Sequence, residues 1–139
     1  MPVHAAHRRT TVRLVKSKLR VWVVFPSGLK FGDGRARLLE LIDERGSLRQ
    51  AAAELDMSYR NAWGYLQELE SAAGFKLVER PPDSSLRSGM RVTAEGRRFL
   101  ACYRKFQRNL DDTAARQFDR AFAGKTFGRR GSATRRARA

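Results

Sequence analysis

The chain has 139 residues, about one domain, and its 42% hydrophobic content suffices for a single compact core. No apolar run approaches the ~18 residues of a membrane helix, and the N-terminus lacks an apolar signal segment, which points to a cytoplasmic protein. The net charge is +15, and a lone cysteine, Cys102, excludes an internal disulfide and argues against a zinc finger.

The charge is unevenly spread. Residues 1–20 hold six basic and no acidic side chains, and residues 125–139 repeat that count. The segment between them carries 17 basic and 14 acidic residues, so the excess sits on two arms. Basic arms attract polyanions, nucleic acid above all. Residues 1–18 are expected as a flexible basic arm and 124–139 as a flexible basic tail, flanking one domain at 19–123.

The first predicted element is a strand at 19–25 (LRVWVVF), rich in β-branched and aromatic residues. Pro26-Ser27-Gly28 turns the chain, and Leu29-Lys30-Phe31 returns as a second short strand. Asp33 is placed to cap a helix with the apolar face Leu38, Leu39, Leu41 and Ile42, stopped by Gly46. Ser47-Leu48-Arg49-Gln50 reads as a capping box opening a short helix from Leu48 to Leu55. After the turn Asp56-Met57, Ser58 caps a third helix running to Ala73. Its buried stripe is predicted as Tyr59, Ala62, Leu66, Leu69 and Ala73. Trp63 is expected to pack beside it in the core or hinge.

Leu77–Arg80 and Met90–Val92 read as a hairpin with a polar tip. Thr93 then caps a long helix, about 94–122, with Phe99, Tyr103, Phe106, Leu110, Ala114 and Phe118 at helical spacing. At ~1.5 Å per residue that helix is roughly 45 Å long, and its apolar stripe calls for a second copy. Phe99, Tyr103, Phe106, Leu110 and Phe118 are the expected dimerisation residues, and Cys102 a small buried or seam residue.

The order of elements predicts a mainly α fold with a small β component. It is a winged helix-turn-helix with a short N-terminal hairpin and a long C-terminal dimerisation helix. The helix-turn-helix occupies about 48–72 and the wing about 77–92. Ala51-Ala52-Ala53 permit close helix approach, and the second helix of the pair presents Ser58, Arg60, Asn61, Gly64 and Gln67 opposite its buried stripe. Arg60 has the donors to pair with guanine, and Asn61 and Gln67 those to pair with adenine, in a major groove. Gly64 removes bulk, while the Tyr59 and Tyr65 hydroxyls reach towards phosphate. Ser47, Arg49, Arg80, Arg87, Ser88 and Arg91 bracket the wing and the helix-turn-helix flank as further DNA contacts.

The run GRARLLELIDERGSLRQAAAELDMSYRNAWGYLQELE, with LVER at 77–80 and VTAEG at 92–96, resembles the N-terminal DNA-binding domain of ModE-type, molybdenum-responsive transcription regulators. More distantly it resembles the LysR-type helix-turn-helix. The resemblance implies a homodimeric regulator that binds double-stranded operator DNA. The fuller family members add C-terminal β-barrels that bind molybdate. With the chain ending at Ala139, a stand-alone domain without molybdate ligands is expected, open to an unidentified effector or partner protein.

No cofactor, metal or membrane contact is expected. His4 and His7 lack a third ligand, and Gly32-Asp33-Gly34 lacks the lysine and spacing of a phosphate-binding loop. No nucleophile has a histidine partner in the body, so the chain reads as a non-enzyme. Two alternatives stand beside the regulator. One is an architectural, nucleoid-type DNA-binding protein with little sequence preference; the other is an adaptor that binds protein.

Overall fold

The computed structural model describes residues 15–82 and 89–128. His4, His7, most of both basic arms, and the wing residues Arg87 and Ser88 lie outside the described residues. The chain divides into two compact units, Arg20–Gln107 and a second made of Met1–Leu19 with Arg108–Ala139.

The elements follow in the order β1 (Val23–Val24), β2 (Lys30–Phe31), α1 (Asp33–Arg45), α2 (Leu48–Glu54), α3 (Tyr59–Ala73), β3 (Val78–Glu79), β4 (Arg91–Val92) and α4 (Ala94–Phe122). β1 and β2 pair antiparallel with Val23 opposite Phe31, and β3 and β4 pair antiparallel with Val78 opposite Val92. The fold is mainly helical, with two minimal hairpins.

Both hairpins are shorter than the sequence suggests. Only Val23 and Val24 of the 19–25 run are in strand, because the chain already turns at Phe25, whose carbonyl accepts from Gly28 N at 2.8 Å. A two-residue strand then suffices to carry Phe31, fully buried, into the core.

Three of the four predicted caps hold. Ser47 Oγ accepts from Gln50 N, Ser58 Oγ from Asn61 N, and Thr93 Oγ1 from Gly96 N, each filling one orphan donor of a helix start. The exception is Asp33. The N-cap of α1 is Gly32, with no side-chain cap bond, and Asp33 is already helical. Its carboxylate serves the tertiary structure instead, accepting from Arg104 at 2.7 Å and Gln107 at 2.9 Å.

The core of the Arg20–Gln107 unit is one cluster. Leu38, Leu39, Leu41 and Ile42 of α1 meet Leu48 of α2, Leu66 and Leu69 of α3, and Leu77 and Val92 of the second hairpin. Each fully buried aliphatic side chain contributes about 1.5–3 kcal/mol relative to exposure. Phe99 of α4 lies 5.0 Å from Phe31, 5.8 Å from Phe25 and 6.1 Å from Phe75, and Tyr103 lies 5.0 Å from Phe31.

These contacts correct the expected dimer stripe. Tyr103 is 3% exposed and its hydroxyl donates to Val21 O at 2.8 Å, so it closes the core of its own chain. Phe99 is half-buried in the same aromatic cluster. Phe106 remains 45% exposed. In the other unit Leu110 and Phe118 are half-buried, and Phe118 stacks on Phe122 at 4.4 Å. Cys102, expected buried or in a seam, is exposed.

Backbone donors of the second hairpin are held by carboxylates on the helices. Glu70 of α3 accepts from Leu77 N at 2.7 Å and Val78 N at 3.1 Å, while Asp43 of α1 accepts from Val92 N at 3.1 Å. Met90 N donates to Gly46 O, and a single bridge joins Ser47 to Gly89. Where this hairpin meets α4, only glycine fits: a Cβ at Gly96 would sit 2.8 Å from Leu77 O and 2.8 Å from Val92 Cγ1. β3 and β4 are therefore tied to α1 and α3 by hydrogen bonds and to α4 by a close backbone approach.

Candidate nucleic-acid interface

Successive residues of an α-helix are about 100° apart, which sorts α3 into four faces. Ala62, Leu66 and Leu69 point into the core. Arg60, Asn61 and Gln67 are exposed on the opposite side with Gly64 between them. A Cβ at Gly64 would meet nothing within 4 Å, so no packing inside the chain demands a glycine there. The side chains of Arg60, Asn61 and Gln67 make no hydrogen bond or ion pair with other described residues.

The flank towards α1 carries Tyr65 and Glu68. Arg35 of α1 lies across the Tyr65 ring, 4.1 Å from its centre, and donates to Glu68 at 2.9 Å and to Lys30 O at 3.1 Å. Its Nε is buried without a partner among the described residues. One largely buried guanidinium thus ties β2, α1 and α3 together and fixes the rotation of α3 about its own axis. Tyr65 is exposed at its rim, but one ring face is already taken.

The flank towards the second hairpin carries Tyr59 and Trp63, which the sequence reading placed in or beside the core. Both are exposed, at 45% and 41%. They lie one turn apart, on the side of α3 that looks across to Val78 and Arg80. They line an open crevice there instead of filling a gap. Arg49 of α2 stacks on Tyr59, 4.6 Å from the ring centre. Trp63, read from the sequence as core or hinge packing in preference to DNA contact, is thus exposed beside Tyr59, four residues away on the same flank.

Of the flanking residues proposed to touch DNA, Arg49 and Arg80 are exposed and pair with no described carboxylate. Arg91 is different, because its Nε donates to Glu79 at 2.9 Å. Ser47 is buried, and its hydroxyl is occupied by Gln50 N. Ser47 caps α2 and meets the hairpin at Gly89, so its side chain has a structural role and little exposed surface. The Ser58 hydroxyl is exposed while it caps α3.

Several arginines away from this face are neutralised, whereas Arg20, Arg108, Arg116 and Arg120 pair with no described carboxylate. Arg104 bonds Glu40 through Nε at 2.8 Å and Nη2 at 3.0 Å, and also reaches Asp33. Its guanidinium is held well above its ordinary value, first by the Glu40 hydrogen bonds. Asp33 is lowered by its hydrogen bond from Gln107 and then by Arg104. Asp43 is lowered, chiefly by the hydrogen bonds from Arg97 at 3.1 and 3.0 Å and also by the Val92 amide. Among the described residues no group of three His, Cys, Asp or Glu side chains gathers to hold a metal. No helix among them is long and apolar enough to cross a membrane.

Residues 34–97 match the bacterial regulatory helix-turn-helix protein, lysR family. The chain is 34% identical over 93 residues to the molybdenum transport protein ModE of Azotobacter vinelandii, covering 64% of this chain and 34% of that protein. It is 32% identical over 77 residues to the transcriptional regulator ModE of Haemophilus influenzae, covering 55% of this chain and 30% of that one. The chain thus spans about a third of the length of these curated relatives. Among solved structures it is similar to the BenM DNA-binding domain in complex with benA site 1 DNA. That likeness has 26% identity and a TM-score of 0.48 over 65% of this chain and 94% of that one.

Proposed function

We propose that this chain, whose helix-turn-helix is similar to those of the lysR family and of ModE proteins, is a DNA-binding transcription regulator and not an enzyme. α3 acts as the helix that reads the major groove. One observation carries the reading. The outward face of α3 holds Arg60, Asn61 and Gln67, whose side chains have no described partner, around a glycine that internal packing does not require. Guanidinium and amide groups left free on a helix fixed by its other faces suit base edges in a major groove.

The roles divide by position. Arg60, Asn61 and Gln67 read bases; Arg49, Arg80 and the Tyr59 hydroxyl hold phosphates beside the groove. The wing tip, with Arg87 and Ser88, and the two basic arms add contacts whose strength falls with salt. The protein acts in the cytoplasm, on the nucleoid, as a homodimer through α4, on which Phe106 stays uncovered. Its two half-sites then lie about 10 bp or a multiple apart.

The test is selection of bound sequences from a random duplex pool near physiological salt. A two-fold symmetric consensus is expected, and Arg60→Ala should cost about 1–3 kcal/mol of binding at one position of it. Tight binding without enrichment, unchanged by Arg60→Ala and abolished by deleting the arms, would replace this reading with the architectural one. Sedimentation of the intact chain tests the dimer; a monomer both free and on DNA would overturn it.

A further inference from the structure

The Tyr59–Trp63 flank of α3 does not pack against the second hairpin. Between them lies a cavity of about 320 Å³, lined also by Leu48, Arg49, Val78, Arg80 and Met90. That volume is at the lower end of the ~300–1,000 Å³ typical of small-molecule sites. Two exposed aromatic side chains, Tyr59 and Trp63, line it together with the aliphatic Leu48, Val78 and Met90.

The charged lining is Glu70, Glu79, Lys76, Arg49 and Arg80, so cations outnumber carboxylates. Glu70 is spent on the Leu77 and Val78 amides and on Lys76, and Glu79 is spent on Arg91. The cations Arg49 and Arg80 have no described carboxylate, and Arg49 is held in place by its stack on Tyr59. Flat apolar walls beside two uncompensated guanidinium groups suit a flat apolar body with a carboxylate at one end. Arginine pairs with carboxylate in a forked, charge-assisted geometry, and aromatic faces accept a planar ring by stacking.

We propose that this crevice binds a small aromatic carboxylate, and that the bound acid keeps DNA off Arg49, Tyr59 and Arg80. The second half rests on the DNA-binding reading above; the first does not. Such a site would place ligand control inside the helix-turn-helix unit itself.

The intact chain is titrated with 2-naphthoate, following the two tryptophan indole N–H signals by NMR, with 2-naphthamide and inorganic phosphate as comparisons. Trp63 should shift saturably with a Kd on the order of 1 mM, a reasonable value for a ligand this small. Trp22, on the first hairpin, should stay still. The amide, and naphthoate added to the Arg49→Gln/Arg80→Gln variant, should each bind roughly tenfold more weakly. No saturable Trp63 shift, equal shifts with amide and acid, or equal binding of phosphate would overturn the site. In a parallel arm naphthoate should release a labelled duplex. Naphthoate binding with the duplex retained would overturn the exclusion. Failure to bind any duplex would overturn the DNA reading and the exclusion resting on it, while the Trp63 shift still decides the site.

Discussion

The arginines of the α1–α4 seam and those of the α3–wing face are chemically identical and physically opposite. In the seam, Arg104 forks onto Glu40 and reaches Asp33, and Arg97 binds both oxygens of Asp43. On the α3–wing face, Arg49, Arg60 and Arg80 have no described carboxylate partner. The nearly balanced charge of the body therefore hides a sorting. Arg97 and Arg104 are compensated and hold the fold; Arg49, Arg60 and Arg80 are left for a polyanion, while Arg91 beside them is bound to Glu79. A paired charge contributes little field beyond a Debye length, whereas a free one adds fully to steering and to counterion release.

The largest effect that sharpens this contrast belongs to Arg104→Ala. Its side chain is 23% exposed and its partner Glu40 26%, so the variant leaves a half-buried carboxylate without its forked partner. About 2–3 kcal/mol of stability should be lost, read by urea unfolding. The salt dependence of DNA binding by the folded fraction should not change.

Asp43→Asn comes next. The carboxylate anchors the Val92 amide as well as Arg97, so its loss should cost about 1–2 kcal/mol at neutral pH. Its carboxyl sits below the ordinary range, chiefly because of the Arg97 hydrogen bonds. A depressed folded value means the contribution is complete above the unfolded value of about 3.9 and is lost as pH falls through the folded one. The gap between wild type and Asp43→Asn should stay level down to about pH 4 and close below it.

Arg49→Ala and Arg80→Ala should do the reverse. Each removes about one unit from the slope of log affinity against log salt, on any sequence, with the urea midpoint barely moved. A stability loss without a change of slope would place these two among the structural arginines and break the comparison.

What the sequence made legible was local. The caps at Ser47, Ser58 and Thr93 and the stop at Gly46 are set by residues within one or two turns and were found where the chain pattern put them. Of the α3 core stripe Ala62, Leu66 and Leu69 are buried, while Ala73 is half-buried and Tyr59 exposed. What it hid was distant. Asp33 looked like a cap because its partners, Arg104 and Gln107, lie 71 and 74 residues further on. Tyr59 and Trp63 looked like core because a helical period shows which residues share a side. Which neighbour that side meets is another matter, and a wing standing off across a crevice leaves them exposed. Tyr103 looked like a dimer residue for the converse reason: its cover, Phe31 and Val21, comes from the first hairpin.

The smallest predicted effect is the most discriminating. Arg98 stands 3.8 Å from Glu95 in an i, i+3 pair with both side chains well exposed, 72% and 57%. A solvent-exposed pair of this length gains little Coulomb energy and loses side-chain entropy, so it neither stabilises the fold nor fully neutralises the guanidinium. Proximity to a carboxylate would place Arg98 with the structural set; exposure places it in neither. Arg98→Ala should therefore leave the urea midpoint unchanged. If the salt slope is also unchanged, position relative to α3 decides which cations a duplex neutralises. A slope lowered by about one unit would instead mean that DNA reaches α4, and the bound surface would extend beyond the α3–wing face.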